Sequence, residues 1–422
     1  MGIKKVEKEN IDTAISKYLS KITEDIGFKK EITGYIKNKQ EIINKFIASG
    51  KSEVEEPLYK LTVLRKWNSY TPVLPADNKS GSNKGGGYFL RIKDYGIVID
   101  PGYNFIENFM NAGFKLDDID SVFISHAHND HTVELESIFS LLFKRNKDIS
   151  ETPIKKIDLF LNLGTFKKFS AYFDLSHPAE NYYINKIIIL NKHQALNINE
   201  SVRVFVADVK HHEMISRDYA VGFIFEVLDE EQKVCTLNFT CDTGWSTELQ
   251  NENKAQVISN LTKIGDDDGT IDVLIAHIGS IKEKEFDYQC SKTLDENEDS
   301  LYANHLGMIG CLAAIHTWRP DIVLLSEFGQ EMNAIRHKIA KMFKETSNTD
   351  VVATDINFTL DLKSLKIMCF HDREYYPFNE ISTIFKDGQL YYINESKLGP
   401  GAGPEVRDML GKEIKVFNEK IQ

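Results

Sequence analysis

The sequence predicts a mixed α/β protein in which strands outnumber helices, with a helical extension in front of the main domain and a small appendage behind it. Three observations carry this reading. Apolar residues recur at helical spacing between Lys and Glu over residues 10–50; short runs rich in Val, Ile, Phe and Tyr begin at Leu58; and from Val273 onward strand-like and helix-like segments alternate. The expected division is an extension over 1–57, a main domain over 58–365 and an appendage over 366–422.

In the extension, Ile11, Ile15, Tyr18, Leu19 and Ile22, then Ile32, Ile36, Ile42, Ile43, Phe46 and Ile47, mark two or three amphipathic helices. Acidic residues are interleaved with the lysines, which favours a packed cap or a homodimer element over a helix lying on a membrane. Strands are expected over 58–64, 87–92, 96–99 and 121–124, with the glycine-dense tract 78–87 as a mobile loop before the second of them. A helix over 135–143, a strand over 157–161 and a helix over 165–173 follow, then strands over 186–190, 202–206, 221–227 and 234–239. The last part reads as strand 273–276, helix 307–317, strand 322–326, helix 334–344 and a strand near 358–362. The tail holds an apolar run over 389–393 and the turn-rich Leu398–Pro404.

Composition narrows the class. A chain of 422 residues with 42% hydrophobic residues buries a sizeable core and is not disordered. Its formal charge of −12 argues against a broad basic surface that would neutralise many phosphates. Five cysteines, an odd number with no CxxC pair, predict a reducing cytoplasm and no disulfide framework. No apolar run approaches the roughly 20 residues needed to span a bilayer, and no secretory signal follows Met1, so the expectation is a soluble cytoplasmic protein with no membrane partner.

The chemistry concentrates at Ser125-His126-Ala127-His128-Asn129-Asp130-His131, which follows the strand Val122–Ile124 and precedes a helix. Three imidazoles and a carboxylate crowded on one turn need a shared cation to offset their desolvation, so this stretch predicts metal binding.

It resembles the HxHxDH signature of the metallo-β-lactamase superfamily, and further marks follow in that family's order. Gly96–Gly102 resembles the strand and Asp-Pro-Gly turn in which the acid, here Asp100, supports a ligand from behind. His211 and His212 compete for the next ligand position; Val209 and Glu213 flank His211 as the family pattern asks, which favours it. Thr240-Cys241-Asp242-Thr243 resembles the turn that carries a metal-bridging acid, with Cys241 where the family has Gly. Asn304-His305-Leu306-Gly307 at a helix start resembles the phosphodiesterase branch that includes ribonuclease Z, where a phosphate-contacting His opens a helix. The departure is Glu327, which stands where ribonuclease Z has a ligand His; His277 occupies the slot from which a side chain would orient His305, or serves structure alone.

The resemblance implies an αββα sandwich and two divalent ions. One would sit among His126, His128, His211 and Asp242, where the donors suit Zn²⁺; the other among Asp130, His131, Asp242 and Glu327, where Mn²⁺, Mg²⁺, Fe or Zn²⁺ fits. Ions roughly 3.5 to 4 Å apart share and acidify a water, which Asp130 would orient while His305 stabilises or protonates the phosphoryl group. The expected function is a dinuclear metal-dependent hydrolase acting on a nucleotide or nucleic-acid phosphodiester through a metal-bridged hydroxide. The alternative is a lactonase- or thioesterase-like hydrolase, which shares every mark except His305 and Glu327. Between His131 and His211 nothing resembles the basic glycine- and proline-rich arm of ribonuclease Z, and the residues 243–304 are too few for the large insertion of the β-CASP nucleases.

Overall fold

Successive residues of the central strands face different cores, and that alternation dictates a layered architecture. The computed structural model describes residues 11–53, 56–67, 85–148, 153–173, 183–212, 215, 217–261, 270–370, 372–386 and 388–397. Most of the glycine-dense tract, Glu213, residues 262–269 and the turn-rich Leu398–Pro404 lie outside them.

Among the described residues the first sheet has nine strands in the spatial order β16 (Tyr375–Tyr376), β15 (Lys366–Met368), β14 (Thr359–Asp361), β1 (Tyr59–Val63), β2 (Tyr88–Ile92), β3 (Tyr95–Ile99), β4 (Ser121–Ile124), β5 (Ile157–Leu161) and β6 (Ile184–Ile189). The second has seven: β13 (Asp350–Ala353), β12 (Ile322–Phe328), β11 (Val273–Gly279), β10 (Gln232–Phe239), β9 (Val221–Asp229), β8 (Val202–Asp208) and β7 (Ala195–Asn199). A separate hairpin joins β17 (Ser382–Lys386) to β18 (Gln389–Ile393).

Tyr88, Leu90, Ile97, Ile99, Phe123 and Phe160 point from the first sheet into the core shared with Val204, Val206, Phe223 and Phe225 of the second. Their neighbours Phe89, Val98, Val122, Ile124, Leu159 and Leu161 point the other way. There they meet α3 (Phe105–Asn111) and α4 (Asn129–Asp148) through Phe105, Phe109, Leu135, Ile138 and Leu142, with α5 (Leu163–Lys168) following β5. On the far side of the second sheet lie α6 (Thr247–Asn260), α7 (Gly307–Trp318) and α8 (Arg336–Ser347). The result is the αββα sandwich that the resemblance implied. Before it come α1 (Ile11–Glu24) and α2 (Ile26–Ile47), of which only Phe46 and Ile47 are buried. No helix among the described residues is long and apolar enough to cross a membrane.

The structure departs from the expected elements in identifiable places. The helix expected from Leu135 begins at Asn129, because Asp130 in its first turn suits the positive helix end although the turn has no apolar period. The stretch 165–173 divides into α5 and a short 3₁₀ turn at Ser170–Phe173. α6 escapes a search for apolar periodicity because its sequence is mostly polar; it is started instead by Ser246, whose hydroxyl accepts the Leu249 N–H at 3.4 Å. The boundary expected at 365 falls inside the β14–β15 hairpin, so the residues on either side of it belong to one sheet.

Strand direction positions the site. β3, β4, β5 and β6 run parallel to one another, as do β10, β11, β12 and β13. β1 is antiparallel to β2, which is antiparallel to β3, so β1 also runs with β3; by the same count β8 runs with β10. The C-terminal ends of β1, β3, β4, β8, β10 and β12 therefore open on one edge, where side chains need not fill a core.

Candidate metal centre

The turn leaving β4 carries His126 and His128, and the first turn of α4 carries Asp130 and His131. His126 Nε2 lies 3.0 Å from His128 Nδ1, two ring nitrogens converging on one point. His211, beyond the end of β8, closes on the same point, with ring centroids 4.7 Å from His126 and 5.2 Å from His128. Its Nδ1 faces the Asn304 carbonyl at 3.2 Å, which turns Nε2 inward. His212 turns the other way: its side chain is 80% exposed and pairs with Asp218 at 3.0 Å.

Asp242 stands between two groups of donors. Its Oδ2 is 3.6 Å from His126 Nε2 and 3.5 Å from His131 Nε2. On the far side His131 Nε2 is 3.1 Å from Asp130 Oδ2 and 3.8 Å from Glu327 Oε2. Two sets result, His126, His128, His211 and Asp242, and Asp130, His131, Asp242 and Glu327, each with four ligand-type atoms within 4.8 Å of one another.

The donors fit divalent cations. Asp130 Oδ2, His131 Nε2, His211 Nε2 and Glu327 Oε2 are all buried without a hydrogen-bond partner, and all point into these sets. Leaving one such group unsatisfied costs about 1–3 kcal/mol, more for a charged one, so four of them together mark positions for a ligand. Three imidazoles with one carboxylate suit a borderline ion, whereas one imidazole with three carboxylates suits a harder one.

The supports behind these donors are equally specific. Asp100, left-handed at φ 49° after β3, accepts the Ser125 N–H at 2.7 Å and the Ser125 hydroxyl at 2.6 Å, and its Oδ2 is 2.9 Å from His131 Nδ1. That contact fixes which His131 nitrogen faces inward. Cys241 and Glu327 are also left-handed, at φ 52° and 55°. Three such residues at strand ends beside one cluster are backbone strain concentrated at a site. Gly102 must be glycine, because a Cβ would come 1.7 Å from the Asp130 carbonyl oxygen.

Arg65, just past the end of β1, was not among the residues singled out from sequence. Its guanidinium is fully buried; Nη1 pairs with Glu327 Oε1, and Nη2 donates to the Asp130 carbonyl at 2.5 Å and the Asp100 carbonyl at 3.3 Å. The signal available was charge balance: three carboxylates assigned to one ion call for a nearby cation, and Arg65-Lys66 follow an apolar strand.

His277 is turned toward the carboxylates. It is wholly buried on β11, with Nδ1 3.3 Å from Asp242 Oδ1 and 3.2 Å from Glu327 Oε1, and Nε2 3.0 Å from the Tyr88 hydroxyl. Its side chain thus steadies two carboxylates, while His305 is placed by other means. His305 sits just before α7, 5% exposed, with Nδ1 3.6 Å from Asp242 Oδ1. It packs against the left-handed Gly279, where a Cβ would come 2.5 Å from its ring.

The environment sets opposite protonation tendencies. Burial pushes His126 well below the ordinary imidazole pKa, and burial lowers His211 as well. Burial acts the same way on His131, but Asp130, Glu327 and Asp242 outweigh it and hold His131 well above the ordinary value. Burial opposes ionisation of Asp242, yet His305 and His131 overcome it and keep that carboxyl well below the usual range.

Residues 95–326, more than half the chain, match the sequence model of a family described as a beta-lactamase superfamily domain. No curated protein matches the chain. Among solved structures, the metallo-beta-lactamase fold protein YhfI from Bacillus subtilis is 13% identical over 71% of this chain and 98% of its own, with a TM-score of 0.47. The short form of human tRNase Z is 14% identical over 71% and 98%, at 0.46. Zn²⁺-bound PqqB from Methylobacterium extorquens is 8% identical over 71% and 99%, at 0.47.

Proposed function

Since the chain belongs to the metallo-β-lactamase superfamily and is a metal-dependent hydrolase, we propose that it cleaves a phosphodiester of a nucleotide or nucleic acid. One observation carries the reading. His305 is an imidazole beside the shared Asp242 that belongs to neither ligand set, and its Nδ1 is buried without a hydrogen-bond partner. A phosphodiester carries an anionic centre that an imidazolium can bind, which a neutral ester or thioester lacks, and it expels an alkoxide that the same group can protonate.

Divalent ions held by His126, His128, His211 and Asp242, and by Asp130, His131, Asp242 and Glu327, would act as Lewis acids and lower the pKa of water. The ions are proposed as Zn²⁺ in the first set and Zn²⁺, Mn²⁺, Mg²⁺ or Fe in the second. The remaining work falls to the chain. Asp100 and Ser125 hold the rings of His131 and His126 in place through 2.9 and 3.0 Å contacts. Asp130 offers Oδ2 to orient the attacking water. With Nδ1 turned to Asp242, His305 gives the leaving alkoxide the proton on Nε2. The net charge of −12 disfavours long polyanions and favours small nucleotides.

The test is hydrolysis of bis(p-nitrophenyl) phosphate and of a dinucleotide by metal-stripped protein reloaded with Mn²⁺ or Zn²⁺. Turnover should require metal and vanish in Asp242→Ala, and His305→Ala should lower kcat by about 100-fold. The loss should be larger for the dinucleotide, whose alkoxide is the poorer leaving group. Turnover confined to p-nitrophenyl acetate or a thioester, indifferent to His305→Ala, would sink the proposal in favour of the carboxylic ester reading.

A further inference from the structure

Short helices in water take their stability from burying an apolar face, because propensity alone seldom holds them. α1 buries no residue and α2 buries only its last two, yet twelve large apolar side chains of this arm are 40–77% exposed. That is more than the nine other large apolar side chains so exposed in all the remaining described residues. The seven on α2 expose on the order of 700 Å², comparable to the about 800 Å² per partner of a stable interface.

Their spacing says what covers them. Phe28, Ile32, Tyr35, Lys39, Ile42 and Phe46 follow one another at intervals of 4, 3, 4, 3 and 4 residues, and Ile11, Ile15, Tyr18 and Ile22 at 4, 3 and 4. That 3.5-residue repeat, flanked on one side by Leu19, Ile36 and Ile43, is the seam along which one helix packs on another. The seam is continuous with the protein's own core, since Phe46 at its inner end packs edge-on against Phe109 with ring centroids 6.4 Å apart.

We infer that α2 pairs antiparallel with α2 of a second copy of this chain, in a two-fold interface where residue i faces residue 74 − i. The register makes the seam self-complementary: Ile32 meets Ile42 and Tyr35 meets Lys39, while Phe28 reaches the inner end of the seam, where Phe46 is already buried in its own subunit. Lys39 decides the direction. A parallel pair in register would set two Lys39 ammonium groups against each other in the seam, whereas the antiparallel pair lays each one beside Tyr35 of the partner subunit. Lys39 Nζ already lies 5.8 Å over the Tyr35 ring of its own helix, so the two groups suit each other.

Light scattering on the full chain should give about twice the 48.2 kDa of one copy. The double variant Ile32→Glu, Ile42→Glu should be monomeric with unchanged circular dichroism, since both side chains lie outside the folded body. Direction is read with a short bismaleimide in a Cys290→Ser background, which removes the exposed cysteine. A mixture of Ile32→Cys and Ile42→Cys chains should cross-link to a dimer, and neither alone should. A monomer at every concentration, a dimer untouched by the two glutamates, or cross-linking of one variant alone would each overturn the inference. So would a monomer that sediments with vesicles of equal parts phosphatidylcholine and phosphatidylserine through the same isoleucines, which would make the arm a membrane element.

Discussion

The two halves of the metal centre share Asp242 and are otherwise built from opposite materials. His126, His128 and His211 pack edge to face, and neutral rings can be buried at the cost of their desolvation alone. Asp130 and Glu327 are buried carboxyl groups, and they are tolerated because Arg65 and His277 are buried with them. One half thus needs only donors, while the other needs a countercharge supplied by strands distant in sequence. Such a buried pair is weak evidence for net stability, but breaking it by removing one partner leaves an uncompensated charge.

The largest effect expected from this difference follows Arg65→Met. In metal-free protein it should destabilise the fold by about 3–5 kcal/mol, because Glu327 and Asp130 lose their cation. Adding Mn²⁺ should restore much of that loss, since an ion in the carboxylate-rich set replaces the missing charge, and the gain on adding metal should exceed that of the wild type. Urea unfolding with and without Mn²⁺ measures both. An equal loss in both conditions would mean that Arg65 only fills space, and the contrast between the halves would fail.

A smaller effect separates the halves by pH. His126, lowered by burial, carries no proton near neutrality; its penalty on the metal-free fold sets in only as the pH falls below the unfolded value of about 6.5. His131, raised by its three carboxylates against the pull of burial, contributes stability that is present below about 6.5 and is lost as the pH rises through its elevated folded value. An ion entering the carboxylate-rich set must therefore displace a proton from His131, and its affinity should rise with pH across neutrality. Affinity at the imidazole-rich set should be nearly flat there. Calorimetry in two buffers of different ionisation enthalpy should find about one proton released by the second ion and none by the first; equal release at both would erase the distinction.

The same contrast governs what could be read before the structure. The strand-to-helix string from His126 to His131 is legible because one short motif holds four of the donors, and the sandwich is legible because strands such as Ser121–Ile124 and Ile157–Leu161 are short, apolar and bounded by turns. His211 and His212 could be ranked but not separated, because adjacent residues leave a strand in opposite directions and only the packed neighbours show which direction is inward. Arg65 was not legible, since it meets Glu327 across 262 residues and the two are joined only by the common direction of β1 and β12. His277 lies at the expected strand end, yet its partners Tyr88, Asp242 and Glu327 come from three other strand ends that no local pattern relates.

The smallest expected effect tests the link that both halves share. Cys241 precedes Asp242 in a left-handed conformation, at φ 52°, where the family pattern has Gly. A non-glycine residue there costs roughly 1–2 kcal/mol, which Cys241→Gly removes. Against that gain stand the greater freedom of glycine in the unfolded chain, about 0.5–1 kcal/mol, and the lost burial of a thiol that is 1% exposed, about 1 kcal/mol more. The contributions nearly cancel, so thermal unfolding should shift by only a few degrees, and both ions should remain by mass spectrometry of the native protein. A fall of more than about 3 kcal/mol, or loss of either ion, would show that the thiol itself holds Asp242 in position. In that case the bridge between the halves would depend on a side chain at this turn, and the strained backbone alone would not account for where Asp242 points.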